Sequence, residues 1–451
     1  MKTIAFKNFG CRSNSMETDA LILEGRRRGY IVCGEDEAAD ALVINSCTVT
    51  ALADRDSRVL AQKYRRKNPQ AVIAVVGCYA QVAKESILAL SEVDLVVGSA
   101  NKFQVIDLIE QRLSGNLLAR DHVAPPTGFL PVEFPGSRLA RAAIKVQDGC
   151  NYRCSFCIIP KARGRSRSLP LENIVGQVRT AYEMGFNEVV LTAIHLAHYG
   201  WDQGTDLVQL VRALVAEEEG PRIRLSTLDP FEIPDELLEM IGSESKLCPH
   251  FHIALQSGDD AVLARMRRLY LAKEFKDVSE RIYRKHSDTF LGVDVIVGFP
   301  GEDQTSFENT LNLLRETYWS KLHVFSFSTR KATEAEQLDG HVERSVVAER
   351  SEILRDLSDR RYRSFLHSQV GKTKDALVER TSKKHPGFVT GHTENYIPVR
   401  IKSSELTSKS MIQVEIDEIL EDGTALSSLK QADRAAAFLL PHRPVAVPCH
   451  P

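Results

Sequence analysis

The sequence predicts an α/β protein in three parts: an N-terminal α/β domain on a parallel sheet, a central partial (β/α)6 barrel and a small C-terminal antiparallel β-barrel. Three patterns predict it. Short β-branched runs alternate with helical patterns over residues 1–115, the alternation resumes over 138–366, and 367–432 switches to strand-like runs with no helices between them. Parallel strands need a crossover connection, usually helical, and buried ones read as near-continuous apolar runs. Alternation of this kind therefore specifies sheets covered by helices.

In the N-terminal part, strands are expected at 3–6, 41–45, 72–76 and 95–97, with helices over 16–28 and 55–67. Residues 115–137 are rich in Pro and Gly, lack periodicity and read as a linker. The barrel strands are expected at 142–146, 188–192, 222–226, 252–255, 291–297 and 321–327, with helices such as 171–184 and 305–317 between them. A long Arg-rich helix follows over 344–366. The last part has strand-like runs at 375–378, 387–390, 396–401 and 411–420, a size suited to a nucleic-acid-binding barrel. The tail after 433 carries prolines and reads as loose.

Composition narrows the function. With 451 residues the chain exceeds a single typical core. Its formal net charge of -2 means that nucleic-acid binding must come from local basic patches rather than a global field. No stretch approaches the ~20 apolar residues of a membrane span. The start, MKTIAFKNFGCRSN, has no apolar signal core, so a cytoplasmic protein is expected.

The nine cysteines carry the chemistry. In a reducing compartment they are not expected to pair as disulfides. Cys11, Cys47 and Cys78 each follow an expected N-terminal strand, and ligand sites in open parallel sheets form beyond the carboxyl ends of strands. These three thiols are thus expected to converge on one edge; the plainer alternative is three buried structural cysteines. Cys150, Cys154 and Cys157 form a C-x3-C-x2-C run directly after the first barrel strand, where barrel active sites lie. Three thiolates can hold three irons of a [4Fe–4S] cube, and with no fourth cysteine nearby one iron stays open. A zinc site is the alternative, but it normally takes four ligands, and no partner pair is present. Cys33, Cys248 and Cys449 look incidental.

The strings KVQDGCNYRCSFCIIPKARGRSRS, GCRSNSMETDA, INSCTVT, VVGCYAQ, HFHIALQSGDDAVLARMRR, GVDVIVGFPGED and TGHTENYIPV resemble, in order and over nearly the whole chain, the radical S-adenosylmethionine methylthiotransferase family. RGRSRS, NSCTVT and NYIPV look most like the branch that methylthiolates carbon 2 of N6-threonylcarbamoyladenosine at position 37 of tRNA. The resemblance implies a radical-SAM barrel, a TRAM-like C-terminal barrel, two [4Fe–4S] clusters and S-adenosyl-L-methionine. Cys150, Cys154 and Cys157 would be catalytic, their open iron chelating S-adenosylmethionine; Cys11, Cys47 and Cys78 would hold the sulfur-delivering cluster. It also implies the tRNA anticodon stem-loop as partner and an electron donor such as flavodoxin or ferredoxin. Carbon 2 of adenine has no acidic proton and no leaving group, so a cofactor-borne radical suits it. Branches acting on isopentenyladenosine in tRNA or on a ribosomal-protein aspartate share all six cysteines, and a non-catalytic iron–sulfur RNA-binding module is a further alternative.

By the same resemblance Thr192, in LTAIHLAHYG, and Ser226, Asp229, Gln256 and Asp294, at or in barrel strands, are candidate cofactor contacts; for each alone a structural hydrogen bond is as good a reading. Ala193, Ala197 and Ala332 stand where the family has glycine. RNA contacts are expected from Lys161, Arg163, Arg165 and Arg167 after the cysteine run. The Arg-rich helix could extend that path or simply be a solvated face. Charges in the C-terminal barrel nearly balance, so Arg380, Lys383, Lys384 and Tyr396 would have to act as a focused patch, with core packing the alternative for Tyr396.

Overall fold

The computed structural model describes residues 2–48, 50–116, 118–127, 134–137 and 139–430. Cys449 and the tail after 433 lie outside the described residues, as do 117, 128–133 and 138.

The N-terminal sheet contains β1 (Thr3–Asn8), β2 (Ile31–Cys33), β3 (Ala41–Ser46), β4 (Val72–Gly77), β5 (Leu95–Val97) and β6 (Asp121–His122) in the order β2-β1-β3-β4-β5-β6, all parallel. Every residue of β3 and β4 is buried, which is why these strands are continuous apolar runs. The helices Arg12–Arg27 and Ala51–Lys67 flank the sheet. Two strands differ from expectation. β2 carries Cys33, and β6 lies in the segment read as linker. That segment is anchored by Arg120, which donates to the carbonyls of Leu88 at 3.0 Å and Val93 at 2.9 Å.

The central strands are β7 (Ala142–Asp148), β8 (Arg167–Ser168), β9 (Glu188–Ala193), β10 (Arg222–Leu225), β11 (His250–Gln256), β12 (Phe290–Val297) and β13 (Lys321–Ser326). They run β10-β9-β7-β8 and β11-β12-β13, parallel throughout except for β8, which turns back on β7. Leu228 joins the two halves: its N–H donates to His252 O and its carbonyl accepts from Ala254 N, both at 2.9 Å. One continuous apolar core, including Phe251, Phe275 and Trp319, lies among these strands and their helices. The helix Arg344–His367 closes against β13 and is only partly a solvated face. Arg350 is buried and bonds Glu302 at 2.7 Å, and Arg361 lies 4.8 Å over the Trp319 ring while donating to Thr317 O at 2.6 Å.

The C-terminal unit is a closed barrel of β14 (Thr373–Thr381), β15 (Phe388–Thr393), β16 (Pro398–Lys402), β17 (Met411–Ile419) and β18 (Ala425–Leu429). It is antiparallel except for the β16–β18 pair, which is parallel. It docks on the base of the central strands. There Arg222 donates to Asp375 O at 2.7 Å and Arg224 to Glu394 O at 2.9 Å, while both bond Glu188. Burial opposes ionisation of Glu188, but Arg224 and Arg222 outweigh it and hold the carboxyl well below its usual range.

The N-terminal and central units meet at Glu17. Its carboxylate accepts from Lys102 at 2.5 Å, Lys145 at 2.8 Å and Arg163 at 2.8 Å, and all four side chains are buried. Burial would raise its pKa; Arg163, Lys102 and Lys145 overcome this and hold it well below the ordinary value. Removing one partner of such a set strands the others, at about 3–5 kcal/mol. Glu17→Gln is expected to lower unfolding stability by about that amount in denaturant titrations. The depressed pKa sets the sign with pH. Glu17's stabilising contribution is full above the ordinary carboxylate range and is lost only as pH falls through its lower folded value. The wild-type interface therefore persists down to about pH 4.5, and the difference between wild type and variant narrows below it.

Candidate active site

The register of the N-terminal sheet puts Asn8 beside Asn45 and Asn45 beside Val76, so β1, β3 and β4 end level. Cys11, Cys47 and Cys78 follow these three ends. Cys11 caps the helix Arg12–Arg27 and is exposed; Cys47 and Cys78 are buried. Gly10 lies over Cys47 with φ +140, and a Cβ there would fall 2.9 Å from the Cys47 sulfur. Only glycine permits that approach. Burial pushes the Cys78 thiol up, against the pull of Arg163 and Lys102.

The second triad lies in the loop after β7. Cys157 N–H donates to Cys154 O at 3.0 Å, folding the loop tightly. Burial and the neighbouring Cys154 push the Cys157 thiol up to about 12; burial also raises Cys154, opposed by Arg268, whose Nη1 donates to Cys154 Sγ at 3.1 Å. Cys150 Sγ faces His195 Nδ1 at 3.6 Å. His195 Nε2 meets Glu232 at 2.6 Å, and Tyr152 OH donates to the other oxygen of Glu232 at 2.6 Å. His198 stacks on His195 at 3.7 Å between ring centroids. Burial opposes the His195 charge, but Cys150 and Glu232 overcome it and raise the imidazole to about 9; burial likewise opposes the Glu232 charge, and His195 and His198 hold that carboxyl at about 2. A cleft of about 560 Å3 opens here, lined by Cys150, Asn151, Arg153, Pro160 and Arg165 among others.

The two triads are tied together. Asn14 Oδ1 lies 3.8 Å from Cys11 Sγ and accepts from Arg163 Nη2 at 2.6 Å, and Arg163 sits in the short helix that follows the second cysteine loop. Each triad offers thiols with no disulfide. A single zinc would draw three sulfurs to within about 4 Å of one another. Among the described residues the compact single-ion group is instead His195, His198 and Glu232, and neither cysteine triad forms one. Three thiols in each triad are donors of the kind that iron–sulfur clusters take. Buried polar atoms left without a hydrogen-bond partner among the described residues, Thr192 Oγ1 and Ser226 Oγ, lie at the ends of β9 and β10, as a polar cofactor requires.

The other candidates divide. Asp229 reaches the cysteine loop through an ion pair with Arg268 and lies 3.9 Å from His195 Nε2. Asp294 lies on β12 and binds His252 at 2.7 Å, and Gln256 ends β11 at a register shift with φ +63. Ala193 and Ala197 have ordinary backbone angles and pack against the core, so alanine is accommodated; Ala332 does adopt φ +66. Two RNA-contact expectations are corrected. Arg163 is fully buried and committed to Glu17 and Asn14, because the N-terminal unit covers it. Tyr396 is wedged between the units, its ring 5.0 Å from the Arg224 and 5.2 Å from the Arg141 guanidinium. Arg167 is half-buried and donates to Arg163 O and Arg165 O. Arg165, Arg380, Lys383 and Lys384 are exposed, and Lys161 is exposed while donating to Ala332 O. Sequence reasoning missed His195, His198, Glu232, Tyr152 and Arg268. The paired histidines of LTAIHLAHYG and the arginines of LARMRR were the available signal.

Residues 144–314 match the Radical SAM superfamily, and residues 3–98 match the uncharacterized protein family UPF0004. The chain is 38% identical over 405 residues to the threonylcarbamoyladenosine tRNA methylthiotransferase MtaB of Aquifex aeolicus (strain VF5), covering 88% of this chain and 96% of the relative. It is 34% identical over 423 residues to the Bacillus subtilis (strain 168) protein of the same name, covering 92% and 94%. Among solved structures it resembles the radical S-adenosylmethionine methyltransferase TsrM from Kitasatospora setae, with cobalamin and a [4Fe–4S] cluster bound. The TM-score is 0.54 at 13% identity, over 72% of this chain and 75% of that one, a likeness of fold.

The placement of Tyr396 and the exposed patch separates packing from binding. Tyr396→Ala is expected to cost about 3 kcal/mol of stability by removing a packed aromatic. Combined Arg380→Ala, Lys383→Ala and Lys384→Ala should leave stability within about 0.5 kcal/mol per site. Thermal denaturation of the two variants checks this.

Proposed function

The chain belongs to the threonylcarbamoyladenosine tRNA methylthiotransferase family, and from that premise we propose that it transfers a methylthio group to carbon 2 of N6-threonylcarbamoyladenosine in tRNA. The observation that carries this reading is the Asn14–Arg163 bond. It joins the helix that begins after Cys11 to the short helix that follows Cys157, and so supports two separate thiol triads working together.

Cys150, Cys154 and Cys157 would hold one [4Fe–4S] cluster with a coordination position left for S-adenosylmethionine, and Cys11, Cys47 and Cys78 a second. When bound, these groups supply one-electron chemistry, sulfur and the methyl group, none of which side chains provide. The protein's own share is placement. Arg268 and His195 face the sulfurs of Cys154 and Cys150. Asp229 orients Arg268, and Glu232 orients His195 while Tyr152 holds its second oxygen. Thr192 Oγ1 and Ser226 Oγ are buried donors available to a polar ligand at the strand ends. Burial of Cys47 and Cys78 keeps water from their sulfurs. Arg153 and Arg165, at the cleft mouth, would meet phosphates of the anticodon stem-loop, with Arg380, Lys383 and Lys384 extending the track. A small one-electron carrier such as flavodoxin or ferredoxin would supply the reductant.

Mass spectrometry of tRNA nucleosides from a strain lacking the protein should show threonylcarbamoyladenosine without its methylthio group and unchanged isopentenyl-derived nucleosides. Loss of the isopentenyl-derived methylthio species, or unaltered tRNA, would overturn the assignment. Anaerobically reconstituted protein should carry about eight irons per chain, two cubanes of four. Cys154→Ala should retain about four irons and lose S-adenosylmethionine cleavage; cleavage at the wild-type rate would displace the C-x3-C-x2-C loop from its role.

A further inference from the structure

We propose that Arg268 is a positioning residue for the radical-site cluster, donating an N–H···S hydrogen bond to the Cys154 thiolate and so setting how readily that cluster accepts an electron from the external reductant. The inference rests on the reading that Cys150, Cys154 and Cys157 hold a cluster.

The contact is built into the backbone. Ser155, next to Cys154, is tied twice to the turn that carries Arg268: its N–H donates to Met266 O at 3.0 Å and its Oγ to Arg265 O at 2.8 Å. That turn closes the helix Asp260–Arg265. Arg267 takes φ +57, and Arg268 N–H returns to Leu263 O at 2.9 Å. A left-handed non-glycine residue persists only where its surroundings fix it. The Arg268 guanidinium then lies 4.9 Å over the ring of Tyr270, whose hydroxyl is held by Ala254 O at 2.5 Å and Leu255 O at 2.8 Å. Ring below, Asp229 at one end and sulfur at the other leave the side chain one position.

Charge gives the contact its effect. Arginine stays protonated in proteins. Arg268 is 7% exposed, its carboxylate partner is Asp229, and its Nε is buried with no hydrogen-bond partner among the described residues. A charged donor 3.1 Å from a cluster sulfur in a water-poor site stabilises the more negative, reduced state. Hydrogen bonds to the sulfurs are among the determinants of iron–sulfur potentials. The imidazole at Cys150 is farther, at 3.6 Å, so Arg268 makes the shorter of the two contacts. Asp229, expected from sequence to touch the cofactor, anchors this donor.

The test uses the full-length chain with Cys11, Cys47 and Cys78 replaced by alanine, so that one cluster gives the signal, reconstituted anaerobically and titrated by electron paramagnetic resonance. In Arg268→Gln, at the solution potential that half-reduces the parent, the reduced-to-oxidised ratio should fall about tenfold, which is 59 mV for a one-electron couple. Arg268→Lys, which keeps charge and a donor, should recover part of the shift. An iron-loaded Arg268→Gln with the parent's midpoint would overturn the inference. So would folded Gln and Lys variants that both lack iron, since Arg268 would then only scaffold the loop. If the glutamine variant does not fold, the lysine variant decides: a partial negative shift supports the inference and an unchanged midpoint refutes it. A parent without iron would refute the cluster assignment itself, and iron content tells that failure apart.

Discussion

The structure depends on one buried carboxylate. Glu17 accepts from Lys102 after β5, Lys145 in β7 and Arg163 after the second cysteine loop, three points distant in sequence. Desolvating so many charges costs several kcal/mol per ion, so the cluster adds little net stability. What it fixes is orientation, because any shift between the units leaves a cation unpaired in a dry interface. Asp148, 2.6 Å from Lys145, is the second anion, so the acids do not match the bases. The surplus positive charge lies beside the first triad, where Arg163 and Lys102 act on Cys78. Positive charge favours the thiolate form of cysteine, so that surplus opposes the penalty that burial places on an ionised Cys78.

The same balance explains why Arg163 misled the sequence reading. In the linear chain it looks like one of a run of basic residues, and such runs are usually solvated. The fold splits the run: Arg163 turns inward to Glu17, Arg167 is half-buried against backbone carbonyls, and Arg165 stays at the cleft. Only the tertiary contact with Glu17, 146 residues away, distinguishes them. Tyr396 is a parallel case. Its φ of +64 turns the ring toward Arg224 and Arg141, and nothing in NYIPV signals which face meets the neighbouring unit.

Elements that bury a long apolar run were legible. β5 was expected at its observed bounds, and the longer strands differ only at their ends, because a parallel strand covered on both faces leaves a continuous hydrophobic signature. β2, β6, β8 and β18 were not legible. The first three have two or three residues and no wholly buried apolar run such as the LVV of β5, and β18 (ALSSL) alternates with serine. The placement of the six cysteines of the two triads after strand ends was legible because those strands were themselves readable. His195, Glu232 and Arg268 were not, since each owes its place to a contact across the barrel: 37 residues separate His195 from Glu232 and 114 separate Arg268 from Cys154.

Ala332 shows how closure between the units replaces a missing glycine. Its φ of +66 costs an L-residue about 1–2 kcal/mol. The turn is held from both sides. Arg330 pairs with Asp54 at 2.8 Å and with Thr48, the residue after Cys47, and Lys161, four residues after Cys157, donates to the carbonyl of Ala332 itself. Thr333 Oγ1 returns to Arg330 O at 2.8 Å. The strained turn therefore bridges the segments that follow one cysteine of each triad. A relaxed turn would release both segments, so the strain at Ala332 persists because the approach of the two cysteine-bearing loops holds it in place.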